Sequence, residues 1–349
     1  MLKLTVKKHE LIFKQLAGTS RGTLRSKPSW FFILIDSEKH SNISIGECGL
    51  LTGLSFDDKS GYLEKLFQIV QSVNQKQSLE TKIDLSEWPS INFGLEMLKK
   101  DYYSTKDKIL FDTEFTNHSY KIPINGLIWM GEKKFMFDQI KLKIDEGWSC
   151  IKLKIGAIDF EEEIELIKYI RAQFGIDELE LRVDANGAFL PTEAKEKMKI
   201  LSDYDIHSIE QPIGAGQEYK MAELCDNPPL PIALDEELIG VIDMHKKQRL
   251  LKLIKPQYII LKPSLIGGWN SSEEWINIAK QHNIKYWATS ALESNIGLNA
   301  IAQWTATLEK NLIHGLGTGQ LYTNNIDSPL QASKGYLSYE KDKNWLFNI

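Results

Sequence analysis

The sequence predicts an α/β fold, a parallel α/β barrel in the C-terminal two thirds of the chain preceded by a mixed α+β region. Three observations carry this. From about residue 122 onward, short apolar strands alternate with stretches of helical periodicity, at residues 124–130, 150–155, 179–183, 206–209, 231–234, 258–261, 284–288 and 312–315. Several of these strands finish on a charged residue, at a nearly constant spacing. The length, 349 residues, suits two domains or one large barrel rather than a single small domain. A doubly wound sheet would show the same alternation, and the pattern alone leaves it open. No Gly-x-Gly-x-x-Gly follows the first strand, which weakens the nucleotide-binding form of that alternative.

The N-terminus alternates apolar and polar residues like a strand and lacks the apolar segment and cleavage site of a signal peptide. Residues 2–16 and 30–36, rich in β-branched and aromatic side chains, predict paired strands. The polar, glycine-bearing stretch 18–28 between them predicts a loop too long for a tight turn, the kind that is often functional. Residues 62–73 and 91–103 carry apolar residues at helical spacing. The last thirty residues, polar and aromatic, are expected to return to the N-terminal region.

Composition excludes several classes. With 42% hydrophobic and 26% charged residues the chain has the make-up of a soluble globular protein. No apolar run reaches the length of a membrane span. A net charge of −5 without a Lys/Arg block argues against nucleic acid as a partner. Three widely spaced cysteines, Cys48, Cys150 and Cys225, form neither a disulfide framework nor a zinc motif. The expectation is a reduced, cytoplasmic protein, monomer or homo-oligomer, acting on a small molecule.

The charged strand ends hold the chemistry. They are Lys154 with Lys152 two residues before it, Asp184 with Arg182 before it, Glu210, Asp235 and Lys262, and successive spacings from Lys154 are 30, 26, 25 and 27 residues. In an α/β barrel such positions line the C-terminal mouth, where active sites sit. Asp184, Glu210 and Asp235 would converge there and repel one another, so a cation is the natural neutraliser. With no histidine or cysteine among them, the all-oxygen set favours Mg²⁺, or Mn²⁺, over zinc. Lys152 and Lys154 point to one face of their strand. Adjacent ammonium groups disfavour each other's charge, a route to a lysine base near neutrality. Lys262, four strands on, falls on the opposite wall. Such a set suits removal of a proton α to a carboxylate: the cation stabilises the enediolate and a lysine takes the proton.

These residues resemble the enolase superfamily and its muconate-lactonising subgroup. The Lys-x-Lys pair, the three acids and the sixth-strand lysine match in order and spacing over essentially the whole chain. Three further segments, Thr19-Ser-Arg-Gly22, Ser290-Ala-Leu-Glu-Ser294 and Gly315-Leu-Gly-Thr-Gly-Gln-Leu-Tyr322, are most similar to the o-succinylbenzoate synthase family. Ile266-Gly-Gly268 fits it as well. The resemblance implies a (β/α)7β TIM-like barrel over residues 121–320, capped by an α+β domain from residues 1–120 and the tail 321–349. It implies a lyase of menaquinone biosynthesis that dehydrates 2-succinyl-6-hydroxy-2,4-cyclohexadiene-1-carboxylate to 2-succinylbenzoate. Lys154 would be the base, with Lys152 supporting, and Asp184, Glu210 and Asp235 would hold Mg²⁺. Lys262 would stabilise the developing anion by charge and cation–π contact. Arg182, Ser290, Gly317 and Thr318 are the expected substrate contacts, Asn186 a support for the metal site. Arg21, Arg25 and Lys27 would lie on the loop that closes the site, and Trp129 is assigned to the core.

The nearest rival on the same scaffold is N-succinylamino acid racemisation, which uses the two lysines on opposite faces. Dipeptide epimerases of the subgroup usually carry acids after the eighth strand, where this chain has Gly317-Thr-Gly-Gln320. Muconate cycloisomerisation fits the loop matches less well. A non-catalytic carboxylate-binding barrel is a poor explanation of so many charges, because unpaired buried charge is expensive.

Overall fold

The structure, a computed structural model, describes residues 1–19, 22–38, 43–310 and 312–347, with only the backbone of residues 17 and 19 considered. The chain opens with a long antiparallel hairpin, β1 (Leu2–Thr19) and β2 (Gly22–Asp36), to which β3 (Ser44–Cys48) adds on the β2 side. Two helices, α1 (Tyr62–Lys76) and α2 (Pro89–Tyr103), pack on this sheet. Leu66, Ile69 and Val73 of α1 and Ile91, Leu95 and Leu98 of α2 meet Leu4, Phe32 and Leu34 of the sheet in one apolar cluster. Gly46 on β3 faces Gly94 on α2 so closely that a Cβ on Gly46 would fall on the Gly94 carbonyl. Strand and helix therefore touch backbone to backbone, which only glycine allows.

The loop expected over residues 18–28 is mostly strand. Pairing breaks between Ile12 and Ala17 at a bulge and resumes to the turn at Thr19 and Gly22. Its polarity has a physical cause. The outer end of the hairpin extends beyond the helices, so both faces of the strands are largely exposed and no alternation is required.

After β4 (Ile122–Pro123) the chain enters the barrel. Seven strands, β5 (Gly126–Ile128), β6 (Cys150–Lys154), β7 (Glu180–Asp184), β8 (Ser208–Glu210), β9 (Ile232–Leu234), β10 (Tyr258–Leu261) and β11 (Lys285–Ala288), lie parallel, each beside its sequence neighbours. The eighth predicted strand, residues 312–315, contributes single parallel bridges, Ile124 with His314 and Thr289 with Gly315, which close the ring. Helices α3 (Lys133–Asp145), α4 (Phe160–Arg171), α5 (Pro191–Ser202), α6 (Glu218–Cys225), α7 (Met244–Ile254), α8 (Pro263–Ile266), α9 (Gly268–Gln281) and α10 (Asn295–Thr305) separate the strands. The start of α4 shows local consistency. The Asp159 side chain accepts from the Glu161 N–H, with acids in the first turn and Lys168 and Arg171 in the last. The strands' outward residues, such as Leu153, Val183, Ile209 and Leu261, join the helices in a second, larger core.

The C-terminal segment does return. Strands β12 (Leu330–Ser333) and β13 (Tyr336–Tyr339) form a small sheet with β4. The Lys14 N–H donates to the Leu321 carbonyl (2.8 Å) and the Thr323 N–H to the Ile12 carbonyl (2.9 Å), tying the tail to the hairpin. Among the described residues no helix is long and apolar enough to cross a membrane. All three cysteines are buried and free.

Candidate active site

Strand register brings the charged residues together. Lys154 pairs with Asp184, and Asp184 with Glu210, across β6, β7 and β8. Glu210 pairs with Ala233, so Asp235, two residues on, shares its face at the end of β9. Lys262 follows β10 directly and begins α8. The five side chains thus form an arc on the inner face of the barrel mouth, with a lysine at each end.

The ammoniums and carboxylates interlock. Lys152 Nζ donates to Asp184 Oδ2 (3.1 Å) and Glu210 Oε2 (2.8 Å). Lys154 Nζ lies 3.6 Å from Asp184 Oδ2 and donates to Asn186 Oδ1 at 2.7 Å. Lys262 bonds to Asp235 and stands 3.8 Å from Glu210 Oε1. Burial alone would disfavour charge on Lys152, but Asp184 and Glu210 outweigh it and raise the lysine above its ordinary value. The mutual depression expected for Lys152 and Lys154 is therefore not what governs Lys152. Lys262 is likewise held far above its ordinary value, Asp235 and Glu210 outweighing burial, and remains a cation. Burial of Asp184 is overcome by Lys152, Lys154 and Lys262, which hold it well below the carboxylate range. Glu210 goes the other way: burial and the Asp184 charge push it up to about 7.

Three more residues complete this wall: Glu236, which the sequence reading leaves unassigned, Asn186, expected there as a support, and Trp129, expected in the core. Glu236, next to Asp235, accepts from Asn186 Nδ2 at 3.2 Å. Asn186 thus bridges Lys154 and Glu236, and its own N–H donates to Asp184 Oδ1 (3.0 Å). Its backbone is left-handed (φ 44°), a conformation asparagine tolerates. Trp129, expected in the core, is half-buried at the end of the first barrel strand, its ring centroid 5.9 Å from Lys154 Nζ.

Lys154, Asp184 and Lys262 of the arc, with Lys152, Asn186 and Glu236, line a cavity of about 970 Å³, while Glu210 and Asp235 are buried and do not line it. The far side of the cavity is apolar, formed by Phe13 and Leu24 of the hairpin, Leu51, Leu54, Leu292 and Leu321. Ser290, Gly317 and Thr318 line it; the Ser290 hydroxyl is 2.7 Å from that of Thr318, and the Ser290 N–H is taken by the Gly315 carbonyl (3.0 Å). Arg182 does not line it. Facing inward but one layer deeper than Asp184, it donates to Glu180 (2.6 Å) and the Ile313 carbonyl (3.0 Å) and stacks 4.2 Å over Trp287. Arg25 is exposed on β2, and Lys27 is fully buried at the junction of hairpin and barrel. Arg21 and Ser20 lie outside the described residues.

A divalent cation fits this set. Three carboxylates, Asp184, Glu210 and Asp235, share the three ammoniums of Lys152, Lys154 and Lys262, with Glu236 a fourth acid beside them, and the buried Glu210 Oε1 has no hydrogen-bond partner. Among the described residues no three acid or imidazole groups stand together as a finished ligand cluster, because lysine ammoniums reach between the carboxylates.

Comparison with known proteins places this geometry. Residues 136–342 match the enolase C-terminal domain-like family, in a superfamily whose members use Mg²⁺. The o-succinylbenzoate synthase of Desulfotalea psychrophila is 44% identical over 96% of this chain and 98% of its own length. The crystal structure of MenC from the same organism superposes with a TM-score of 0.83 at 41% identity, covering 97% of this chain and 99% of that one. An N-succinylamino acid racemase of Amycolatopsis is a more distant relative, 28% identical over 58% of this chain and 53% of its own. The chain belongs to the o-succinylbenzoate synthase family of the enolase superfamily.

Proposed function

We propose that the protein catalyses the Mg²⁺-dependent syn-dehydration of 2-succinyl-6-hydroxy-2,4-cyclohexadiene-1-carboxylate to 2-succinylbenzoate. The observation that carries the reading is the arc itself, with acids at three consecutive strand ends between Lys154 on one side and Lys262 on the other. Asp184, Glu210 and Asp235 would hold the metal, which when bound neutralises the substrate carboxylate whose α-proton is removed.

The chain's own residues then account for the proton. The Lys154 amine takes the C1 proton and becomes an ammonium; Asn186 fixes its position from the side. The C6–O bond breaks as the same ammonium returns that proton to the departing hydroxyl, releasing water on the face from which the proton was taken. The C1–H electron pair becomes part of the aromatic ring. Lys262, at the far end of the arc, balances negative charge on the ring without moving a proton. Lys152, bonded to Asp184 and Glu210, sets the spacing of the two acids. Ser290, Gly317 and Thr318 hold the succinyl tail, and the apolar wall under the hairpin excludes water. Racemisation of N-succinylamino acids would need Lys262 to donate and accept protons from the opposite face, and the N-succinylamino acid racemase is the more distant relative.

The test is an assay of purified protein for formation of the aromatic product from the cyclohexadiene acid, with Mg²⁺ and after chelation. Metal-dependent appearance of 2-succinylbenzoate is expected. Undiminished turnover in chelator, or no turnover with Mg²⁺, contradicts the reading.

A further inference from the structure

On the side of the barrel away from the acids, the eighth-strand segment is flanked by Thr289, bridged to Gly315, and by Asn125, whose N–H donates to the His314 carbonyl (2.9 Å). Both side chains face the cavity, and both residues are more than nine-tenths buried, with 8% and 4% of their surface exposed. Neither Thr289 Oγ1 nor Asn125 Oδ1 has a hydrogen-bond partner. The Asn125 amide nitrogen makes a long contact, 3.3 Å from Nδ2 to the carbonyl of adjacent Gly126, and leaves Oδ1 on the cavity side without a donor. Gly315 and Gly317 line the cavity beside them. A Cβ on Gly315 would come within 2.7 Å of Thr289 Oγ1, so the missing side chain is what leaves the hydroxyl its place.

Native proteins rarely leave buried polar groups unsatisfied, and those that remain call for an explanation. Two such groups on one cavity wall, beside glycines that leave room, are explained by a ligand that supplies the partners. In an eight-membered ring the eighth position lies opposite the fourth, here β8 with Glu210. A ligand anchored by one carboxylate at the arc therefore extends its other end toward Thr289 and Asn125.

We infer that Thr289 and Asn125 are specificity-determining residues that hydrogen-bond the oxygens of the substrate's acyl tail, Thr289 directly and Asn125 through a bridging water, completing the contacts of Ser290 and Thr318. This rests on the proposed dehydration. Thr289 donates its O–H to an acyl or carboxylate oxygen, and Asn125 Oδ1, itself an acceptor, meets the tail through a water that donates to both. Such groups are left unsatisfied in the free protein, so binding and stability should respond to their removal with opposite signs.

The experiment measures kcat, KM and the melting temperature of the ligand-free protein for Thr289→Val, Thr289→Ser and Asn125→Leu. For Thr289→Val we expect KM to rise about tenfold, the factor that 1.4 kcal/mol represents, with a smaller change in kcat. The melting temperature should stay level or rise, because an orphaned hydroxyl has become an isosteric methyl. Thr289→Ser, which keeps the hydroxyl, should return KM to near the wild-type value. Asn125→Leu should raise KM in the same sense. Unchanged KM in Thr289→Val and Asn125→Leu, or losses of binding and melting temperature in step, overturns the inference while leaving dehydration standing. Wild-type protein that forms no aromatic product removes the proposed function instead, and this inference with it.

Discussion

Lys27 and Lys152 are both buried lysines set among carboxylates, but their surroundings differ in a way that separates structure from chemistry. Lys27 Nζ donates to Ser29 Oγ (3.1 Å), which donates to Glu47 Oε1 (2.8 Å). Glu47 also accepts from the Ser294 N–H (3.0 Å) and hydroxyl (2.6 Å) and the Gly297 N–H (2.9 Å), while Glu293 accepts from Ser264 and from the Ala291 N–H (2.7 Å). Every carboxylate oxygen there is bonded, and the cluster joins the N-terminal sheet to α8, to the loop after β11 and to the start of α10. Burial pulls Lys27 below its ordinary value against the fields of Glu47 and Glu293. The Lys152 cluster also sets lysine among carboxylates, but Lys152 and Asp184 open on the cavity, and Glu210 Oε1 has no hydrogen bond, only Lys262 at 3.8 Å. A saturated, sealed cluster reads as a clamp. An unsaturated one facing a cavity reads as a site awaiting something.

That contrast fails or sharpens under mutation. The largest effect should come from removing an acid of the open cluster. Asp184→Ala, Glu210→Ala or Asp235→Ala should abolish metal-dependent turnover with the fold intact by circular dichroism, and retained activity in any one would remove that residue from the metal set. Next comes the sealed cluster. Lys27→Met leaves two buried acids without their cation, which should cost about 3–5 kcal/mol of stability in denaturant unfolding. Turnover by the folded fraction should change far less, since Lys27 touches no part of the cavity. A large fall in kcat with stability unchanged would merge the two clusters into one functional unit. The smallest effect should be at Gly317, where a Cβ would lie 3.6 Å from the Asn125 carbonyl, an ordinary contact. Gly317→Leu should raise KM while leaving the melting temperature nearly unchanged, whereas parallel losses would mean the glycine serves only its turn.

How much of this was legible beforehand follows from the same contrast. The arc could be read because charged residues at the ends of apolar strands are conspicuous and the barrel repeats at a fixed interval. Arg182 misled because alternation along a strand gives the direction of a side chain, not its depth; one layer down, it pairs with Glu180 and stacks on Trp287. The sequence puts Lys27 on a closing loop because its partners, Glu47 and Glu293, are distant along the chain, and nothing local marks a lysine as buried. Residues 18–28 read as a loop between the predicted paired strands because the outer end of the hairpin, largely exposed, needs no apolar alternation. Glu236 was overlooked beside the more regular Asp235. Asn125 and Thr289 carry no sequence signal, since a neutral polar residue becomes notable only when its partners are found missing.

The central claim is a division of labour, in which Lys154 moves the proton and Lys262 contributes only charge. The direct measurement is kcat/KM for dehydration by Lys154→Arg and Lys262→Arg, compared with wild type. Arginine keeps the positive charge but cannot serve as a base, so Lys154→Arg should lose the ~10²–10⁴-fold that proton transfer contributes. Lys262→Arg should retain substantially more, with some loss from the change of shape. Equal losses at the two positions, or near wild-type dehydration by Lys154→Arg, would contradict the account.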